Sequence, residues 1–328
     1  MRYASIDIGT NTLRLLVAEV ERPEAGLTPL VYKRAITRLG GSYTDETGMD
    51  REAAERTLVA LVTFRETIDQ YRVERTKAVA TSVVRRACNR DWFLEEARKR
   101  TGLHINVISG KEEARLSVIG VLSVVGDGTA ERLILDIGGG STEFIAVRGA
   151  RILGSWSMEM GVVHLAERHL RSDPPRPGEL KAMEEEIRGV IGNLKENMSG
   201  DPLTSFEDSR KRHVELVGTA GTVTTLASID QNLEVYDRNR INNHVLERGR
   251  VEDLYHFLSG LTLEERKDIL SLEKGREDLI IPGTAIVLAA MEAFGFDSMR
   301  VSDAGLLEGV ILEEARGANN IQKKEVAG

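Results

Sequence analysis

Cysteine is almost absent from this chain, since Cys88 is the single one among 328 residues. One cysteine cannot form an internal disulfide, which fits a reducing compartment. Long apolar runs are also missing: the longest segment, Leu279 to Phe294, is short for a bilayer and contains Pro282. Near the N-terminus, Asp7 stands where a signal peptide would need unbroken apolar sequence. We therefore expect a cytoplasmic protein with no membrane role.

An overall excess of positive charge is lacking as well. Lysine and arginine number 44 against 52 acids, a formal net charge of -8. General nucleic-acid affinity needs a broad basic surface, so we expect no nucleic-acid partner. One local exception lies between Arg72 and Arg100, where nine basic residues stand against four acids. This block is either a solvated helical face or the local attraction for a polyanionic substrate.

Several catalytic signatures are missing too. The chain has no G-x-S-x-G elbow for a serine nucleophile and no G-x-x-x-x-G-K-[ST] phosphate loop. Its six histidines are scattered without paired metal spacing; His164 and His169 lie one turn apart but read as surface residues of a helix. Serine hydrolase, P-loop and histidine-metal chemistry therefore have little support.

Two copies of one local pattern are present instead. An apolar strand, an aspartate, a turn of small residues and a second strand occur at Asp7 to Thr12 and again at Asp136 to Ser141. The pattern predicts two similar α/β domains, 1–125 and 126–302, that face each other across an interdomain cleft. A C-terminal helix over about 303–328 is expected to pack back on the first domain.

The two turns suit phosphate binding. Glycine lets a backbone approach a ligand closely, and successive amides form a concave anion site. The hydroxyls of Thr10, Thr12, Ser141 and Thr142 add hydrogen-bond donors. The aspartate before each turn fits Mg²⁺ held through water, because Mg²⁺ prefers one or two carboxylates together with substrate phosphates. A tight structural hairpin is the alternative for either turn taken alone.

Two further junctions are candidates. Ser109 and Glu112 have capping-box spacing, which accounts for Glu112 but leaves Glu113 in the first helical turn as a candidate general base. A surface glutamate that favours the helix dipole is the alternative for Glu113. The segment Gly218 to Thr222 follows a buried strand and opens a helix, so its amides could hold a phosphate or merely allow close packing.

Taken together, these segments resemble the exopolyphosphatase / guanosine pentaphosphate phosphohydrolase (Ppx/GppA) family over residues 3 to about 315. The resemblance rests on ordered motifs: D-I-G-T-N-T-L-R-L at 7, A-T-S-V-V-R-R-A at 80, I-S-G-K-E-E-A-R-L at 108, L-D-I-G-G-G-S-T-E-F at 135, V-G-T-A-G-T-V-T-T-L-A at 217 and V-S-D-A-G-L-L-E-G-V at 301. It implies an actin-like ATPase-domain duplication, that is, two ribonuclease H-like domains. It also implies hydrolysis of a terminal phosphoanhydride by a metal-activated water.

The resemblance also implies roles for individual residues. Glu113 would be the general base; Asp136 and Glu143 would hold Mg²⁺ (or Mn²⁺), with Asp7 facing them from the other domain. The implied phosphate-binding residues are Thr10, Asn11, Thr12, Arg85, Gly138, Gly139, Gly140, Ser141 and Thr142, with Gly221 and Thr222 in the turn that corresponds to the nucleotide side of actin-like folds.

Substrate choice stays open at this point. The chain departs from the family pattern at Gly161 to Leu165, Ile241 to His244 and Ser302 to Gly309, where cations are lost. It resembles the short form that has no C-terminal HD-type domain, which offers less surface for a long chain unless a homodimer extends the groove. We expect an exopolyphosphatase, with guanosine pentaphosphate hydrolysis as the alternative. An actin-fold kinase, disfavoured by the E-E-A motif, and a non-catalytic nucleotide switch are the other classes.

Overall fold

The computed structural model describes residues 1–23, 26–126, 128, 131–198 and 214–326, and for 320–326 it describes the backbone alone. Contacts divide the chain into two compact units, Met1–Ser123 with Ala304–Gly328 and Val124–Asp303. The sequence places the first boundary at 125, whereas the structural units divide between Ser123 and Val124. Within the described residues, no helix combines the length and apolarity that crossing a membrane requires.

The first unit contains a mixed sheet. Its strands are β1 (Arg2–Ile8), β2 (Thr12–Glu19), β3 (Thr28–Ile36), β4 (Arg75–Ala80) and β5 (Ile105–Val107). Among the described residues their order is β3-β2-β1-β4-β5. The first three strands are antiparallel, and β1, β4 and β5 are parallel. Parallel neighbours end at the same edge of a sheet, so residues that follow β1, β4 and β5 are brought together.

Helices cover both faces of this sheet. They are α1 (Arg51–Gln70), α2 (Ser82–Arg86), α3 (Arg90–Thr101), α4 (Gly110–Val125) and α12 (Leu306–Val326). Asp50 caps α1 as expected, accepting a hydrogen bond from Ala53 N–H at 2.9 Å. Gly102 ends α3 in the left-handed region, with φ 69°. On one face, Ile311 of α12 packs with Tyr3 and Leu16 in a buried cluster.

The second unit repeats the design. Its strands are β6 (Glu131–Ile137), β7 (Thr142–Arg148), β8 (Arg151–Met158), β9 (Glu215–Thr219), β10 (Val245–Glu247) and β11 (Ser298–Val301). Their order among the described residues is β10-β11-β9-β6-β7-β8. As in the first unit, three antiparallel strands (β8, β7, β6) continue into parallel neighbours (β9, β11). The repeated order confirms the internal repeat that the two turns predict.

Helices also surround the second sheet. They are α5 (Val162–His169), α6 (Pro177–Met198), α7 (Ala220–Asp230), α8 (Arg238–Ile241), α9 (Arg248–Gly260), α10 (Leu263–Lys267) and α11 (Ile280–Phe294). The capping box predicted at Thr262 and Glu265 opens α10. Pro282 lies in the first turn of α11, where its missing N–H costs nothing. The apolar segment of α11 is a buried core helix, which explains its composition without a membrane.

Candidate active site

The first glycine turn joins β1 to β2. Gly9 N–H donates to the Thr12 carbonyl oxygen at 3.1 Å and closes the turn. The strand register places Asp7 opposite Arg14, and Arg14 Nε donates to Asp7 Oδ2 at 2.9 Å. Asp7 is 3% exposed, and among the described residues no donor reaches its second oxygen, Oδ1. A buried carboxylate oxygen without a partner is costly, so a cation or a water molecule fits at this atom.

The loop after β3 holds this turn in place. Gly40 N–H donates to the carbonyl oxygen of Thr10 at 2.8 Å. Thr37 and Arg38 donate their N–H groups to the carbonyl oxygen of Asn11 at 3.1 and 2.9 Å. Thr10 and Asn11 are both buried. The carbonyl oxygens of the turn are therefore engaged on the loop side, which fixes the position of its backbone.

Arg85 and Glu113 meet in the first unit at the edge where β4 and β5 end. Arg85 follows β4 within α2, and Glu113 lies in the first turn of α4 after β5. One guanidinium nitrogen of Arg85, Nη1, donates to Glu113 Oε2 at 3.2 Å and to the Ile108 carbonyl oxygen at 2.8 Å. The Glu113 side chain is 15% exposed, so it stays reachable from solvent. Asp7 lies at the same edge, because β1 is parallel to β4.

Glu112 behaves differently from its neighbour. Its N–H donates to Ser109 Oγ at 3.2 Å, which is the first half of the predicted capping box. Its carboxylate does not complete the box but accepts two hydrogen bonds from Arg115, at 2.9 and 2.8 Å. These bonds to Arg115 are the main reason that the pKa of Glu112 is lowered. Glu112 and Glu113 therefore occupy distinct environments although they are adjacent in sequence.

The second glycine turn has the same geometry as the first. Gly138 N–H donates to the Ser141 carbonyl oxygen at 2.9 Å. Asp136 and Glu143 are directly opposite each other on β6 and β7, so their side chains share one face of the sheet. Glu143 is 4% exposed and accepts a hydrogen bond from Ser157 Oγ at 2.7 Å. Two carboxylates are thus held side by side on the two strands that this turn joins.

The start of α5 supports the second turn from behind. Val162 N–H donates to the Gly138 carbonyl oxygen at 3.1 Å, and the next amide donates to that of Gly139 at 3.0 Å. This approach needs Gly161, because a Cβ atom there would lie 2.2 Å from the Gly139 oxygen and 2.3 Å from the Gly140 carbonyl carbon. The turn from Gly138 to Gly140 is therefore fixed by its contact with α5.

The polar residues after this turn are already engaged or enclosed. Ser141 is 7% exposed, and Thr142 is fully buried. The Thr142 hydroxyl donates to the Met160 carbonyl oxygen at 2.5 Å, which is a structural partner. Sequence spacing treats Ser141 and Thr142 as equal phosphate donors, but the structure assigns the Thr142 hydroxyl to the chain itself.

A third turn joins β9 to α7, at the strand end that lies beside the end of β6. Thr219 occupies the N-cap position of α7 in extended conformation without a capping hydrogen bond from its side chain. Ala220 has φ 69° in the left-handed region, which is rare for alanine. Gly221 lies directly under the guanidinium of Arg276, since a Cβ atom at Gly221 would be 1.9 Å from Arg276 Cζ. Thr222 is 3% exposed. Strained backbone of this kind is concentrated at functional sites, which makes this turn a candidate for ligand contact.

Each unit by itself offers carboxylate oxygens that fit a hard divalent cation. In the first unit, Asp7 Oδ1 is buried without a donor among the described residues. In the second unit, Asp136 and Glu143 form a carboxylate pair. In the described part of the chain, no group of three or more histidine, cysteine or acidic residues could hold a metal alone. Mg²⁺ commonly binds one or two carboxylates and completes its octahedron with water and substrate phosphates. The carboxylates of either unit therefore suit a metal that arrives with a phosphate substrate.

Three site residues went unassigned in the sequence. Arg14 lies within the first motif, and hairpin pairing across the turn indicates its position opposite Asp7. Gly161 begins the segment Gly161 to Leu165, which differs from the family pattern at His164. Arg276 is far from its partner Gly221 in sequence, and no local signal connects the two.

Comparisons with known proteins agree with this description. The model of the Ppx/GppA phosphatase family matches residues 16–317. A bifunctional 3-dehydroquinate synthase/phosphatase of Fusobacterium nucleatum is 36% identical over 318 residues, which cover 94% of this chain but 46% of that protein. Exopolyphosphatase 2 of Mycobacterium tuberculosis is 34% identical over 327 residues, 96% of this chain and 98% of the relative.

Solved structures support the same assignment. The crystal structure of the Aquifex aeolicus member of the Ppx/GppA family is 32% identical and has a TM-score of 0.80, with 97% of this chain and 99% of that one covered. The predicted actin-like α/β fold and the predicted family are thereby confirmed. The chain belongs to the Ppx/GppA phosphatase family, whose members are hydrolases of phosphoanhydride bonds.

Proposed function

We propose that this protein is an exopolyphosphatase that releases terminal orthophosphate from inorganic polyphosphate. The observation that carries the proposal is the contact of Glu113 with Arg85, at 3.2 Å, at the carboxyl edge of the first sheet. A general base must be a proton acceptor within reach of the attacking water, and a phosphate site needs a cation beside it. These two residues supply both groups at one place.

The proposed reaction uses the residues in separate roles. Glu113 accepts a proton from a water molecule as the water oxygen bonds to the terminal phosphorus. The bond between that phosphorus and the bridging oxygen breaks, and the shortened chain leaves with the electron pair on its oxygen. Arg85 exchanges its contact with Glu113 for the phosphate oxygens. Preorganised donors of this kind stabilise the charge that develops in the transition state.

The remaining predicted residues would bind and orient the substrate. Mg²⁺, when bound, would neutralise phosphate charge and polarise the attacking water. Its predicted ligands are Asp136 and Glu143, with Asp7 as a further carboxylate. Backbone amides of the two glycine turns and the hydroxyls of Thr10, Thr12 and Ser141 would donate to phosphate oxygens, as predicted from sequence.

Guanosine pentaphosphate is the second candidate substrate, and one observation favours it. The third turn, from Thr219 to Thr222, carries the strained Ala220 and lies under the Arg276 guanidinium. An arginine plane beside a helix N-terminus suits a nucleotide as well as a phosphate. A polyphosphate chain carries no base that could bind there. Contacts at the third turn would therefore distinguish guanosine pentaphosphate from polyphosphate.

The test is phosphate release from long-chain polyphosphate, tripolyphosphate, guanosine pentaphosphate and ATP, with wild type, Glu113→Gln and Glu112→Gln. Loss of the general base should lower kcat by about 10²–10⁴ in Glu113→Gln. Glu112→Gln is the matched control, because it makes the same change one residue away at a carboxylate that pairs with Arg115. Full turnover in Glu113→Gln would remove Glu113 from this role.

The substrate with the highest kcat/KM identifies the enzyme's activity. Release without any acceptor separates hydrolysis from a kinase of the same fold. Tight ATP binding without release from any polyanion would instead indicate a nucleotide switch.

A further inference from the structure

A cavity beside the edge strand β5 extends from the Arg85–Glu113 contact. Its volume is about 620 Å³, and all of its lining residues belong to the first unit. Arg85 lies at one end, and the polar side chains of Arg90, Asn106 and Ser109 contribute to the walls. The cavity therefore begins at Arg85, the partner of Glu113, and continues along the sheet edge.

The cavity has a charge that suits an anion. Arg85 and Arg90 face one acid in the described lining, Asp91. Arg90 Nε lies 3.4 Å from Asp91, but the two side chains are 50% and 89% exposed, and such pairs contribute little. Arg90 can therefore exchange this contact for a phosphate at low cost.

Most other cations of the basic block are engaged away from the cavity. Arg86 pairs with Asp45, and Arg100 pairs with Glu55. Lys99 pairs with acids of its own helix. Of the two interpretations of the basic block, attraction for a polyanion thus applies to Arg85 and Arg90, since these two line the cavity.

The backbone around the cavity offers further donors. The side chain of Asn89 precedes α3 but bonds Met49, at 3.0 and 2.8 Å, so it does not cap the helix. The positive end of α3, where Arg90 and Asp91 stand, therefore faces the cavity without that cap. Directly after β5, Ile108 N–H donates to the carbonyl oxygen of Ala80 on β4, and N–H groups alternate in direction along an extended strand. The N–H of Val107, the last residue of β5, therefore points away from β4 towards the open edge of the sheet.

We infer that this cavity is a second phosphate subsite, which binds internal phosphate groups of a linear polyphosphate chain. The inference rests on the proposed function, because it treats Arg85 as the residue shared by the two subsites. When the terminal phosphate lies beside Glu113 and Arg85, the next phosphate groups of the chain still carry negative charge that needs partners. Arg90, the α3 terminus and the β5 edge provide that neutralisation along one continuous wall.

The test compares Arg90→Gln with Arg98→Gln. Arg98 lies on the same helix, is exposed and does not line the cavity, so the control removes the same charge elsewhere. Arg90→Gln removes a hydrogen bond between a charged side chain and phosphate. This loss should raise the KM for long-chain polyphosphate about tenfold. We expect kcat to be unchanged, KM for tripolyphosphate to rise less than about twofold, and Arg98→Gln to match wild type.

Two results would overturn the subsite. One is equal KM values for long-chain polyphosphate in the two variants. The other is an equal rise in KM for long and short substrates in Arg90→Gln, which would place Arg90 beside the terminal phosphate. Either result leaves the proposed hydrolysis intact as long as wild type releases phosphate.

Failure of the proposed function looks different. If wild type releases no phosphate from any polyphosphate, the comparison moves to equilibrium binding of long-chain polyphosphate in EDTA. Weaker binding by Arg90→Gln than by Arg98→Gln supports the subsite, and equal binding refutes it.

Discussion

Gly161→Ala tests whether the second glycine turn is held in its active shape by packing from behind. A Cβ atom at Gly161 would lie 2.2 Å from the Gly139 oxygen, whereas ordinary contact begins at 3.4 Å. The turn or the start of α5 must therefore move by about 1.2 Å, the difference between these distances. The obstructing atoms are backbone, so no side-chain rotation can relieve the contact.

The displacement should affect activity more than folding. Overpacking of this kind costs about 1–3 kcal/mol of stability. A misplacement of about 1 Å at a catalytic centre can cost about 10²-fold in rate. Because the turn amides are proposed to bind phosphate, we expect kcat/KM for polyphosphate to fall about 10²-fold in a protein that is still folded.

Gly189→Ala is the matched control. Gly189 lies in the exposed interior of α6, and a Cβ atom there would meet nothing within 4 Å. The change should stabilise the protein by about 0.5–1 kcal/mol through helix propensity and leave turnover unaltered. Thermal unfolding followed by circular dichroism, together with phosphate-release kinetics, measures both effects. Wild-type kcat/KM in Gly161→Ala would refute the proposed function of this turn.

Three further predictions concern the first unit. Gly120→Ala should lower the free energy of unfolding by about 3 kcal/mol or more, seen as a lower Tm, because its Cβ would lie 1.9 Å from a main-chain oxygen just before α12. Arg14→Gln should cost about 1–3 kcal/mol in urea unfolding, since it removes a charged partner from buried Asp7; an unchanged midpoint would contradict this. Burial, and then the Asp45 hydrogen bond, raises the pKa of Tyr43 to about 12. Alkaline spectrophotometric titration of Asp45→Asn against wild type, with Tyr43→Phe to identify the signal, should show this pKa lowered.

Elements that depend on neighbouring residues were predictable from the sequence. The two glycine turns have the expected strands on either side, because the strand period of two and the small turn residues act locally. The caps at Asp50 and at Thr262 with Glu265 follow from spacings of three residues. The order of these segments also indicated the family, which the comparisons confirm.

Side-chain partners were less predictable even at short range. The spacing from Ser109 to Glu112 predicted a full capping box, but the Glu112 carboxylate turns to Arg115. Thr142 resembled a phosphate donor, yet its hydroxyl donates to Met160 in the second unit. A polar side chain takes the best-placed partner in three dimensions, and sequence spacing describes the backbone alone.

The sequence by itself determined the repeated strand–turn–strand units, the acids before each turn and the α/β class. These features arise from local backbone preferences and from alternation of apolar residues over a few positions. The tertiary structure decided that Arg85 meets Glu113, that Gly161 supports the second turn, and that Arg276 covers Gly221. It also decided that Arg90 lines a cavity while its neighbours in the basic block form ion pairs. Such contacts join residues far apart in the chain, so they exist only once the sheets and helices are packed.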